Sequence, residues 1–125
     1  MHIIKVDTTA IEALGPTERY VQNLVGRASG STPVSVSWIV TPVGDGSPEG
    51  LHTHTFDQSY LLLEGDMTVE LDGEVAMIGP GTLVRFPAGH AHRNQNTGTV
   101  PTVHLAINAP APELGVPFAT RVPES

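Results

Sequence analysis

Residues 46–58 read Gly46-Ser47-Pro48-Glu49-Gly50-Leu51-His52-Thr53-His54-Thr55-Phe56-Asp57-Gln58, and residues 81–92 read Gly81-Thr82-Leu83-Val84-Arg85-Phe86-Pro87-Ala88-Gly89-His90-Ala91-His92. Side chains two apart on a β-strand face the same way, so His52 and His54 can aim two imidazoles at one point. If that strand stays regular, Phe56, Gln58, Tyr60 and Leu62 share its side. A His-x-His pair alone also fits polar decoration of an exposed strand, so the spacing around it has to separate the two readings. Downstream, the bend Pro87-Ala88-Gly89 precedes a second pair, His90 and His92.

Working outward, 13 Gly and 11 Pro cut the 125 residues into short segments, the pattern of an all-β sandwich or barrel. Candidate strands fall at residues 19–25, 34–40, 51–63, 67–71, 74–78, 82–86, 90–95 and 102–108. Period two is plain in the second, where Val34, Val36, Trp38 and Val40 alternate with Ser35, Ser37 and Ile39. Asp72-Gly73 is a two-residue signal for a tight hairpin. Helix is confined to a turn or two at residues 9–14, stopped by Gly15-Pro16. Residues 1–125 are expected to form one domain, with the barrel at about 19–109 and residues 110–125 as an irregular strap or disordered end.

The order of residues around the histidines resembles the two motifs of the cupin superfamily. Gly46 is followed after five residues by His52-x-His54, then after three by Gln58 and after six by Gly65, where the family pattern has Glu at position 58. Gly81 is followed after five residues by Pro87-x-Gly89, then by His92 and Asn96, with each named position filled. The resemblance spans about two-fifths of the chain. It implies a jelly-roll β-barrel in which His52, His54 and His92 hold one divalent metal ion, with residue 58 as fourth ligand. Gly65, Gly81 and Gly89 fall where a barrel strand must turn sharply, a task for residues tolerant of positive φ.

Gln58 changes what such a site can do. A neutral amide cancels none of a cation's charge, and a carboxylate that could act as a base is lost. Its oxygen either ligates weakly, or stands off and orients water or substrate, or the residue is only part of the wall. Tyr60 would bring a hydroxyl to the same pocket as a proton donor, an orienter or a core side chain. His104 alternates with Val103 and Leu105 and faces either cavity or solvent. His90 is expected outside the ligand shell, Trp38, Phe86 and Met77 in the core or cavity wall, and Arg85 and Arg93 at the surface.

With no cysteine, any metal must be held by nitrogen and oxygen, which suits Fe, Mn, Ni, Cu or Zn without choosing among them. Six Lys and Arg against 13 Asp and Glu, scattered along the chain, weigh against nucleic acid and anionic membranes as partners. No apolar run resembles a signal peptide or membrane span, so a cytoplasmic protein is expected. A small-molecule substrate and a homodimer follow from the family likeness. The leading functional expectation is a dioxygenase acting on an enolisable or phenolic substrate such as a 1,3-diketone or flavonol. Redox-neutral isomerisation, polyketide cyclisation or lyase chemistry is the alternative, and a non-catalytic binding module the third.

Overall fold

The computed structural model describes residues 1–124. Its one α-helix among them, α1 (Thr8–Glu12), starts where the Asp7 carboxylate accepts a hydrogen bond from the Ala10 amide. The strands are β1 (Tyr20–Val25), β2 (Ser35–Thr41), β3 (His52–Thr53), β4 (Asp57–Glu64), β5 (Met67–Leu71), β6 (Glu74–Ile78), β7 (Leu83–Phe86), β8 (His92–Gln95), β9 (Thr102–Ala109) and β10 (Thr120–Arg121). They form two five-stranded antiparallel sheets, ordered β1-β2-β9-β4-β7 and β10-β3-β8-β5-β6. This is the expected all-β jelly roll. Ile39, Tyr60, Leu62, Met67, Val69, Phe86 and Ala106 form the buried core, drawn from both sheets.

Residues 51–63 do not make one continuous strand. The chain leaves the second sheet after Thr53 and enters the first at Asp57, yet the alternation persists: His52, His54, Phe56, Gln58, Tyr60 and Leu62 are all buried. The corner therefore places His52 on one sheet, His54 at the bend and Gln58 on the other sheet, all facing inward.

Met77 is not a core residue, being 72% exposed. The Asp72-Gly73 turn, with φ of 50° and 84°, sets a two-residue hairpin whose register puts Met77 opposite Thr68 and Val75 opposite Glu70, on the outer face. Trp38 is likewise not a cavity wall. In β2 the inward residues are Ser35, Ser37 and Ile39, because pairing with β9 sets Ser35 against Asn108 and Ile39 against His104. The tail is more ordered than expected: β10 pairs with β3, and the Val122 amide donates to the Leu51 carbonyl.

Gly65, Gly81 and Gly89 all have φ near +80°. Gly46 is needed for another reason. A Cβ there would lie 2.1 Å from the Asn94 carbonyl oxygen, where the loop after β2 crosses β8.

Candidate metal centre

His52 and His92 face each other across the β3–β8 ladder, and His54 follows two residues after His52. Their ligand atoms all lie within 4.8 Å of one another, and all three side chains are buried. Apolar rings fix them from outside. Phe86 stacks on His92 at 4.2 Å, Phe56 stacks on His54 at 4.6 Å, and Phe118 meets His54 edge-on at 4.8 Å.

Each imidazole is oriented through its Nδ1. His52 donates to the Gly50 carbonyl at 2.7 Å, His54 to the Phe118 carbonyl at 2.9 Å and His92 to the His90 carbonyl at 3.0 Å. A carbonyl only accepts, so each Nδ1 carries the hydrogen and each neutral ring leaves a lone pair at Nε2. Those lone pairs converge. The Nε2 atoms of His52 and His54 are 3.1 Å apart, and Gln58 Oε1 stands 3.1 Å from Nε2 of both His54 and His92.

The direction of the Gln58 amide follows from a polar row across the first sheet. Gln58 Nε2 donates to Asn108 Oδ1 at 2.9 Å, and Asn108 Nδ2 donates to Ser35 Oγ at 2.9 Å. Gln58 and Asn108 are register partners on β4 and β9, as are Asn108 and Ser35 on β9 and β2. Four acceptors packed this closely repel one another unless a cation or a proton lies among them. Protonation of two of the rings is opposed: burial lowers the pKa of His54, and pushes that of His92 down to about 4. A divalent cation answers the arrangement, since two ligands at right angles on bonds of about 2.1 Å lie about 3 Å apart. The residues present therefore fit the metal site that the sequence motifs imply.

The bend that delivers His92 is held by Asp57. Its Oδ1 accepts from the Ala88 amide at 2.9 Å, while Oδ2 pairs with Arg85 at 2.7 Å. The Arg85 contact holds the Asp57 carboxyl below the usual carboxylate range. Arg85 and Arg93 lie at the surface in ion pairs, Arg93 with Glu70 and Glu124. His90 turns outward and contacts Asp72 at 2.6 Å, away from the cluster.

Beside the cluster opens a cavity of about 520 Å³, walled by Ile39, Tyr60, His104 and Ala106 on the first sheet and by Leu114 and Phe118 on the C-terminal strap. Tyr60 is buried, and burial pushes its hydroxyl pKa up, so it stays a neutral phenol. Its ring packs edge-on against Phe86 at 5.1 Å. His104 faces inward. Sequence reading overlooked three contributors: Asn108 and Ser35, which orient Gln58, and Phe118, whose carbonyl orients His54. The period-two pattern of β9 and β2 carries the first two, whereas nothing in the local sequence marks the third.

A cupin-domain family model matches residues 37–108, more than half the chain. The chain belongs to the cupin family. Among solved structures, a cupin 2 domain-containing protein from Halorhodospira halophila superposes with a TM-score of 0.73 at 19% identity, covering 89% of this cupin and 74% of that chain. A protein from Thermus thermophilus superposes with a TM-score of 0.70 at 25% identity, covering 87% of this cupin and 98% of that chain. A curated relative, the tetracenomycin polyketide synthase protein TcmJ of Streptomyces glaucescens, is 35% identical over 68 residues. That match takes in 51% of this chain and 46% of TcmJ, so the cupin spans about half the length of the relative. No helix among the described residues is long and apolar enough to cross a membrane.

Proposed function

We propose that this cupin is a metal-dependent enzyme that enolises or cyclises a polyketide-like 1,3-dicarbonyl or phenolic small molecule. The observation that carries the reading is the convergence of His52, His54, His92 and Gln58 as four neutral acceptors beside the cavity. A divalent cation held by the three imidazoles, with the Gln58 oxygen as fourth donor, supplies a Lewis acid for a substrate oxygen. Neutral donors leave its charge uncancelled, which favours an anionic enolate or phenolate. Gln58 has no proton-accepting carboxylate and Tyr60 is held neutral, so the α-proton released on enolisation passes to water in the cavity. The relative named as a polyketide synthase protein favours redox-neutral chemistry over the dioxygenase expected from sequence. The same reading takes the chain as one cytoplasmic domain that pairs as a homodimer and engages neither nucleic acid nor membrane.

The test is deuterium uptake from heavy water into ethyl acetoacetate, followed by proton NMR with and without oxygen. Exchange accelerated by the zinc-loaded protein, equal under argon and lost with chelator, is the expected result. Oxygen consumption in step with substrate loss would instead establish the dioxygenase. In parallel, elemental analysis should find about one divalent ion per chain, and markedly less in His92→Ala. Full retention of the metal in that variant would refute the ligand assignment.

A further inference from the structure

His104 is a buried titratable group that the proposed chemistry leaves unused. It lies four residues along β9 from Asn108, hence about 13 Å up the strand from the polar row beside the cluster. It is 1% exposed, it lines the cavity, and neither ring nitrogen has a hydrogen-bond partner among the described residues. Its cross-strand neighbours, Ile39 and Leu62, are apolar and offer it none. Tyr60 lies against it ring to ring at 4.4 Å. Buried polar groups in folded proteins are almost always paired, so an orphan of this kind calls for a partner that arrives from elsewhere.

Desolvation by burial, helped by the positive charge of Arg19, pushes the His104 imidazole down to about 3. At neutral pH the ring is uncharged, with one N–H donor and one acceptor nitrogen. A phenolic hydroxyl carries the same complement. The cavity wall joins apolar side chains such as Ile39, Ala106, Leu114 and Phe118 to polar ones such as Ser37 and Arg19, and the cavity is far larger than a simple diketone needs.

The geometry points to His104 as the distal anchor of the substrate site: the cavity takes a flat polycyclic phenol, its chelating oxygens at the histidine cluster and a far hydroxyl hydrogen-bonded to His104. This inference rests on the proposed function and adds to it the substrate class and the residue that selects it.

The test uses two tricyclic hydroxyquinones, emodin and chrysophanol, which share the chelating edge and differ by one phenolic hydroxyl on an outer ring. Calorimetric titration of the zinc-loaded protein should give about tenfold tighter binding of emodin. In His104→Leu that preference disappears while chrysophanol binding is unchanged, and His104→Gln recovers part of it. The metal-free His104→Leu protein should melt no lower than wild type, because an unpaired polar group has been replaced by an apolar one of similar size. An emodin preference that survives in His104→Leu overturns the proposal, as does a wild-type protein that binds neither compound. A lowered melting point with unchanged emodin affinity marks a structural histidine paired with an enclosed water, and also overturns it. Binding of both compounds that ignores zinc would refute the proposed function while leaving the His104 effect measurable.

Discussion

Lowering the pH should destabilise the metal-free protein well above the range where carboxylates titrate. His92 and His104 have folded pKa values pushed down by burial to about 4 and about 3, from an ordinary value of 6.5. Unfolded imidazoles take up protons near 6.5, whereas the folded ones stay neutral until the pH is two or more units lower. Their contribution is therefore complete above 6.5 and is lost as the pH falls toward the folded values. Between about pH 7 and about pH 4.5 each loses roughly 3 kcal/mol, at about 1.4 kcal/mol per unit. Together that is a sizeable share of the ~5–15 kcal/mol that holds a typical domain folded. His54 adds in the same direction. Urea titration at the two pH values, with chelator throughout, measures the loss. In His104→Leu the loss should shrink by roughly 3 kcal/mol, since one of the two histidines no longer titrates. A wild-type stability unchanged between the two pH values would refute the burial argument. A His104→Leu loss equal to that of wild type would refute the assignment to His104.

Asn108→Leu leaves the Gln58 amide nitrogen buried without its acceptor, at a cost of about 1–3 kcal/mol, and should weaken zinc binding about 10–100-fold in a chelator competition. Asn108→Asp, which still accepts from Gln58, should retain most of that affinity. Gly46→Ala forces a methyl group against the Asn94 carbonyl, and circular dichroism should show a protein that fails to fold or melts far below wild type.

What the sequence made legible was set by local rules. Period two along residues 52–62 marked an inward face, and it survived a corner that moves the chain from one sheet to the other, because the corner adds no residue to the alternation. The Asp72-Gly73 turn was legible as well, but its consequence for Met77 was not. β6 is the edge strand of its sheet and its residues 74–77 are all exposed, which follows from the strand order, a non-local fact. In β2 the apolar residues Val36 and Trp38 suggested the buried face, whereas pairing with β9 turns the serines inward. There the inner face, apart from the core residue Ile39, lines a cavity with polar tasks. The order of the tail was equally invisible, since its two-residue strand gains stability only by docking on β3.

The glutamine at position 58 acquires its meaning from that same inward polar face. A carboxylate there would need donors on every side, and its charge would offset part of the cation's. An amide needs one acceptor for its NH2 group to leave its oxygen facing the point where the imidazole lone pairs converge, and Asn108 provides it from the adjacent strand at the same level of the barrel. Asn108 in turn spends its own NH2 on Ser35, one strand further on. The departure from the family pattern is thus part of a row three strands wide, in which each residue is uncharged and each hydrogen bond runs away from the cluster. Such a row stabilises an electron-pair donor at the centre without adding negative charge, and would keep a cation held by the histidines strongly acidic toward an incoming oxygen. Under the proposed function, neutrality at the centre and the orphaned polar group at the far wall are complementary: the first would favour an anionic oxygen from the ligand, and the second would favour a further hydroxyl at a fixed distance from it.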